Sequence, residues 1–316
     1  MPIAPRRSAL PTGSRSGRRL RAAPRLTWRG AGYWLEGLGA RGALGVFGLL
    51  PIDAASAFGG LIARAIGPRL RAHRTAERNL RRALPEFADA DVARVLRGMW
   101  DNIGRTFGEM PHLEQLRDDP ARVQIVDDTR ILAQLRDDGI GAVLVAGHFG
   151  NWEIGPIAGY RAGLNLTVFY RAPNNPYADA LIQSIRAKLT SGGYLNKGHE
   201  GARRALTLLK QGGHLGILVD QKQNEGIPAA FLGRPAMTTT APAMFAHRLG
   251  LPIASIRMER MGGARFRIAI EALALADSGD QRDNIVETTR RINARLEDWI
   301  RARPEQWFWV HRRWPE

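Results

Sequence analysis

A histidine and a glutamate stand five positions apart in GHFGNWE, residues 147–153, directly after the apolar run GAVLVA. On one helix, residues five apart diverge by about 140°, so His148 and Glu153 cannot meet if both are helical. Across a turn they can. Gly150 permits a tight backbone path, Asn151 is an acceptable helix cap, and Glu153 then falls in the first turn, pointing back toward His148. A carboxylate in that place would hold the imidazole tautomer and leave the other nitrogen free to remove a proton from a hydroxyl. A plainer reading also fits: a histidine capping a helix beside an acidic N-terminal residue. The spacing alone does not choose between them.

The elements around this stretch show how such a pair would be positioned. From about residue 140 the pattern alternates between strand and helix. GAVLVAG, LNLTVFY and HLGILVD read as strands, with helices around 152–162, 177–191 and 201–211. Strands separated by single helices give a parallel sheet with right-handed crossovers. PIASIRMER and RFRIAIEA read as further strands, and 282–302 as a terminal helix. The predicted fold class is therefore α/β, with a mostly parallel or mixed central sheet flanked by helices. Ligands in such folds collect at the carboxyl ends of the strands. Three of those ends carry polar groups here: His148, Arg171 and Asp220. For Asp220 two plainer roles stand beside a catalytic one, capping a loop or pairing with Arg171.

Charge and hydropathy bound the partners. The chain of 316 residues has 46 Lys and Arg against 30 Asp and Glu, a net charge of +16, and its first 30 residues hold eight Arg and no acid. Such a balance suits an acidic partner: an anionic membrane, nucleic acid, or an acidic protein or phosphorylated substrate. Residues 1–30 have the composition of a disordered basic tail. Residues 31–70 read as a membrane-associating segment, because 42–67 is apolar but broken by Pro51 and Asp53. A span needs about 20 uninterrupted apolar residues, so two short helices lying in a membrane face, or a hairpin packed on the main domain, fit better than one crossing. Residues 71–316 form the expected catalytic domain. It opens with a helix over 71–86 that has Ala72, Ala76, Leu80 and Ala83 on one side and Arg74, Arg78, Arg81 and Arg82 on the other.

Other chemistries find little support. The absence of cysteine removes disulfides, thiolate metal sites and a cysteine-borne acyl intermediate. His199 and His247 lack partners at metal-ligand spacing, so neither a metal nor a cofactor is expected. There is no P-loop, no G-x-G-x-x-G and no G-x-S-x-G. In WVHRRW, His311 with Arg312 and Arg313 could face a phosphate, while packing of Trp307, Trp309 and Trp314 explains much of the same block.

GHFGNWE resembles the H-x4-D/E motif of membrane-associated acyltransferases, and its FGNWE form is similar to the late acyltransferases of lipid A biosynthesis, the lauroyl and myristoyl transferases. RTAERNLRRALPE, FYRAPNNP, VDQKQNEG, AAFLGRPAMTTTAPAMFAHRLGLPI and RPEQWFWVHRRW follow in family order, so the similarity runs from about residue 33 to 314. The resemblance implies a glycerolipid-acyltransferase-like fold. It also implies transfer of a fatty acyl chain from acyl carrier protein to a hydroxyl of a lipid A precursor at the cytoplasmic face of the inner membrane, with nucleic acid not a partner. It carries over His148 as general base, Glu153 as its orienting carboxylate, and Arg171 on phosphate or on the thioester carbonyl. Asp220 and Gln221 fall on the family's Asp-Gln pair. Asn151, Trp152, Gln221, Arg312 and Arg313 become the expected substrate-binding residues. Related enzymes acylate lysophospholipids, ornithine lipids or phosphatidylinositol mannosides, which remain alternative acceptors. A noncatalytic basic protein that binds membrane or nucleic acid is the alternative from a different class.

Overall fold

The computed structural model describes residues 28–315. Four helices come first: α1 (Trp28–Leu49), α2 (Ile52–Ile66), α3 (Arg71–Ala83) and α4 (Asp89–Glu109). After α5 (Leu113–Asp118) the α/β part begins with β1 (Val123–Val126), α6 (Ile131–Asp137), β2 (Ala142–Ala146), α7 (Pro156–Ala162) and β3 (Leu166–Tyr170). It continues through α8 (Pro176–Arg186), β4 (Tyr194–Asn196), α9 (His199–Lys210) and β5 (His214–Leu218). A small hairpin, β6 (Ile227–Phe231) and β7 (Arg234–Thr238), precedes α10 (Ala241–Leu249), β8 (Ile253–Gly262), β9 (Arg265–Leu273) and α11 (Gln281–Ala302).

Seven strands form one sheet in the order β1-β9-β8-β2-β5-β3-β4. The five from β8 to β4 run parallel, while β9 folds back antiparallel on β8, so the sheet is mixed but mostly parallel, as the alternation predicts. β2 is buried along its whole length. Its side chains divide by strand alternation: Val143 and Val145 join the core under α3, α4, α9 and α11, whereas Leu144 and Ala146 join the core on the opposite face. The register sets Ala146 beside Leu218 and Phe169 beside Ile217. His148, Arg171 and Asp220 therefore emerge along one edge of the sheet.

Several boundaries differ from the sequence pattern. The helix expected over 152–162 is a single 3-10 turn at Trp152–Ile154 followed by α7, because Pro156 cannot continue a turn begun before it. The helix expected over 177–191 ends at Arg186, and the freed chain returns as the edge strand β4. β1 and the β6–β7 hairpin are additions to the sequence pattern: β1 has only four residues, and Pro228 in β6 and Pro235 in β7 argue against strands there.

The basic tail expected over 1–30 lies, through residue 27, outside the described residues, and α1 begins at Trp28. Within 42–67 the chain breaks at Pro51 into two helices. α2 packs closely on α4, where a side chain at Gly59, Gly104 or Gly108 would strike the facing backbone. Its other side leaves Phe58, Leu61 and Ile66 exposed, and α1 exposes Trp34, Leu35, Leu38, Val46 and Leu49. No helix among the described residues is long and apolar enough to cross a membrane.

The link between the helical front and the sheet is a polar cluster on α4. Asn102, Thr106 and Glu109 stand at i, i+4 and i+7, one stripe of the helix, and all three are buried. Arg260 at the end of β8 donates from Nε to Asn102 Oδ1 (2.8 Å) and from Nη2 to Glu109 Oε2 (3.0 Å), and it also pairs with Oε1 of that carboxylate. Glu109 further accepts from Asn151 Nδ2 (2.8 Å) and Ser56 Oγ (2.6 Å). Removing one partner of a buried pair strands the other charge. Arg260→Met is expected to cost about 3–5 kcal/mol, read as a lowered urea midpoint. Adding Glu109→Gln, which removes the stranded charge, recovers part of that loss; a double variant less stable than the single one contradicts the assignment.

Candidate active site

The turn that carries the histidine is fixed from three sides. Gly150 has φ +55, and a side chain there would collide with the Met258 carbonyl of β8, so both conformation and space demand glycine. Asn102 Nδ2 donates to the Gly150 carbonyl (2.9 Å). The C-terminal segment straps across the turn: Gln306 O accepts from Gly150 N (3.0 Å), and Phe308 N donates to His148 O (3.1 Å). Asn151 is fully buried, and its Oδ1 accepts from Glu153 N (3.1 Å), which caps the 3-10 turn as its residue type predicts.

The carboxylate that meets His148 is Asp220, not Glu153. His148 Nδ1 lies 2.8 Å from Asp220 Oδ1, and the His148 backbone N–H donates to Oδ2 at 2.7 Å. Trp307 Nε1 donates to the same Oδ2 at 2.8 Å. Asp220 is buried, which by itself raises a carboxyl pKa; the His148 ring and these donors outweigh burial and hold it well below the usual range. An ionised Asp220 fixes the proton of neutral His148 on Nδ1 and leaves Nε2 as a lone pair, with Gln221 Nε2 3.4 Å from it. The ring is clasped by Trp152 (5.4 Å between centroids) and Phe308 (5.8 Å), so its orientation is set by packing as well as by the carboxylate.

Glu153 turns the other way. It accepts from Arg186 Nε (2.6 Å), pairs with a second guanidinium nitrogen, and accepts from Trp152 Nε1 (3.0 Å). The expectation that it reaches back to His148 is thus corrected. The single 3-10 turn after Asn151 aims it toward α8, whose last residue, Arg186, is the nearest strong donor. Of the two plainer roles for Asp220, pairing with Arg171 is not found, whereas its Oδ2 does cap the turn after β2 through the His148 N–H while Oδ1 faces the ring.

These groups surround a cavity of about 420 Å³, within the ~300–1,000 Å³ of small-ligand sites. His148, Gln221, Arg171, Lys197 and His311 border it near the strand ends, and Leu144, Leu166, Val168, Gly216, Ile256 and Met258 line it along the sheet. The Glu153–Arg186 pair and Tyr194 sit in its wall, and burial pushes the Tyr194 phenol pKa upward. Arg171 is exposed at the border. Crowding by protein atoms lowers the pKa of the Lys197 ammonium; the Asp220 carboxylate opposes that shift and the Arg171 charge adds to it. Such a site offers a proton acceptor, an apolar slot and two cations that suit an anionic group. Among the described residues no three His, Asp or Glu side chains gather as a metal site.

Arg312 and Arg313, expected to bind substrate, do not border the cavity. Arg312 is exposed. Arg313 is fully buried, donating to the Met237 carbonyl (2.6 Å) and Thr238 Oγ1 (2.7 Å) and lying over the Phe231 ring (4.7 Å). It fastens the C-terminal strap to the β6–β7 hairpin. Trp307, Arg186 and Lys197 escaped sequence reasoning because nothing local marks their distant partners. For Asn102 and Glu109 the signal was present in their i, i+4, i+7 spacing with Thr106.

The family model for bacterial lipid A biosynthesis acyltransferases matches residues 26–316. No curated protein matches the chain.

His311 gives this site an acid sensitivity. Burial first, then the nearby positive charges of His148, Arg313 and Lys197, hold its pKa down at about 4 from an ordinary 6.5, against the opposing pull of Asp220. The folded state therefore keeps this ring neutral while the unfolded chain takes up a proton below pH 6.5. The stability it contributes is complete above pH 6.5 and is lost as pH falls toward 4. Urea unfolding at pH 7, 6 and 5 should show a steeper loss in the wild type than in His311→Gln; equal slopes count against a buried neutral ring.

Proposed function

Because the chain belongs to the bacterial lipid A biosynthesis acyltransferase family, enzymes that transfer acyl groups, we propose that it moves a fatty acyl chain from acyl carrier protein to a hydroxyl of a lipid A precursor at the inner membrane. The observation that carries this reading is the His148–Asp220 pair at the strand-end border of a cavity with an apolar wall. The acyl chain lies along Leu144, Leu166, Val168 and Met258, and its thioester comes to rest beside His148. Arg171 and Lys197 receive anionic groups of the donor or acceptor at the border. The exposed apolar sides of α1 and α2 favour a membrane surface as the place of work.

Transfer is direct in this scheme. His148 Nε2 takes the proton of the acceptor hydroxyl as its oxygen bonds to the thioester carbonyl carbon, and Asp220 stabilises the imidazolium that forms. Collapse of the tetrahedral intermediate breaks the C–S bond, and the imidazolium returns the proton to the departing thiolate. No group of the protein is acylated. Glu153 acts as a positioning residue: held by Arg186, it fixes Trp152, which leans on the His148 ring.

The scheme ranks its variants. A positioned base contributes roughly 10²–10⁴ in rate, so His148→Ala should lose about that much in kcat while donor binding survives. Asp220→Asn should lose a comparable amount, because an amide no longer selects the tautomer. Glu153→Gln should lose less. The assay is acyl transfer from acyl-acyl carrier protein to a panel of lipid acceptors, which also reads acceptor choice; a lysophospholipid preferred over the lipid A precursor would replace the proposed acceptor. Donor mixed without acceptor and quenched in denaturant should leave no label on the protein, and a chaseable acyl-protein would overturn the direct route. Arg171→Lys should be nearly as damaging as Arg171→Ala if the guanidinium makes a two-point contact. A lysine variant of full activity reduces that residue to a generic charge.

A further inference from the structure

The proton-transfer pair leaves a second imidazole in the cavity wall without a task. His311 borders the same cavity as His148 and Gln221, and it lies close enough to the His148–Asp220 pair to feel both charges. Its backbone is held with unusual care. Asn79 Nδ2 donates to the His311 carbonyl (2.7 Å) and to that of Trp309 (2.9 Å), and Arg313 N donates to the His311 carbonyl (2.9 Å). A residue of α3, far away in sequence, thus fixes where this ring stands.

The ring's two nitrogens are not equivalent. Nδ1 is buried and has no hydrogen-bond partner. A buried N–H without an acceptor is costlier and rarer than an unused lone pair, so the proton of the neutral ring belongs on Nε2 and the bare lone pair on Nδ1. Burial keeps the ring neutral at physiological pH. It can therefore donate one hydrogen bond without competing with His148 for the acceptor's proton. A cation formed on His148 during the reaction is among the charges that disfavour a second one on His311.

We propose that the Nε2–H of His311 donates a hydrogen bond to the carbonyl oxygen of the acyl thioester and stabilises the oxyanion that forms there when the acceptor hydroxyl attacks. The inference rests on the acyl-transfer reading of this cavity. During attack the carbonyl π pair moves onto oxygen, and when the C–S bond breaks it returns to reform the carbonyl, so His311 gives and takes no proton overall. A fixed neutral donor costs no reorganisation as the charge develops, which is where such donors act most strongly. Arg171, in contrast, stands exposed at the border, where solvent screens its charge.

Three variants decide the matter. In His311→Gln the side-chain amide nitrogen reaches about as far as Nε2, whereas in His311→Asn it stops near the position of Nδ1, and His311→Leu has no donor at all. Transfer from acyl-acyl carrier protein is measured for each across pH, with thermal melting as the check of folding. The glutamine variant should keep kcat within about tenfold. The asparagine and leucine variants should lose about 10²–10³ in kcat with KM little changed, the typical loss on removing one such donor. The acidic limb of the kcat/KM profile should not move in any of them. Should the leucine variant not fold, the asparagine and glutamine pair alone decides. Full activity in the asparagine variant, equal loss in asparagine and glutamine variants, or disappearance of the acidic limb in the glutamine variant would each overturn the assignment. A wild type that transfers no acyl group, or a His148→Ala variant as active as the wild type, would instead sink the acyl-transfer reading, so the two failures are distinct.

Discussion

The buried ion pair between Glu109 and Arg260 is the constraint on which the rest of this structure depends. Placing two charges in a protein interior costs several kcal/mol per ion before their attraction repays it, and only when every remaining lone pair and N–H finds a partner does the arrangement hold. Here the partners are Asn102, Asn151, Ser56 and the Gly263 carbonyl. Because Asn151 belongs to the turn after β2 and Arg260 to the end of β8, satisfying the pair draws the helical front, the sheet and the turn together. The main chain of that turn needs a left-handed glycine at 150 packed on the Met258 carbonyl, and the cluster supplies the force that keeps it there.

Two carboxylates near one histidine have been given different tasks by geometry. Asp220 is buried, carries two donors besides the imidazole, and can only serve as the anion under the ring. Glu153 is tied to Arg186 and to the Trp152 indole, in the wall of the cavity. A glutamate five residues after a histidine is therefore not enough to make a dyad. The path of the intervening backbone decides, and here a single 3-10 turn carries Glu153 toward the next helix.

The strand-end edge was legible in the sequence because His148, Arg171 and Asp220 each follow an apolar run directly, and the rule that open sheets bind ligands at those ends needs only that pattern. The place where the sheet reverses was not, since the turn-back between β8 and β9 depends on a hairpin whose two strands look alike in composition. The His148–Asp220 contact lay beyond reach for a related reason: its partners are 72 residues apart, and only the register of β2 on β5 sets them side by side. Arg313 misled for the opposite reason. An arginine in a run of aromatics suits a phosphate and a tryptophan cage equally well, and burial against Phe231 chose the second.

The strap formed by residues 304–314 has a consequence for how the enzyme comes into being. Trp307 supplies a donor to Asp220, Gln306 and Phe308 hold the histidine turn, and Arg313 anchors the whole segment to the β6–β7 hairpin. A nascent chain emerging from the ribosome can pair β2 with β5 and fold its sheet well before that segment exists. It cannot complete the surroundings of the His148–Asp220 pair until residues 304–314 have cleared the exit tunnel. A chain that stops before residue 304 thus has a loosely held histidine and an under-satisfied aspartate at the ends of an otherwise complete set of strands.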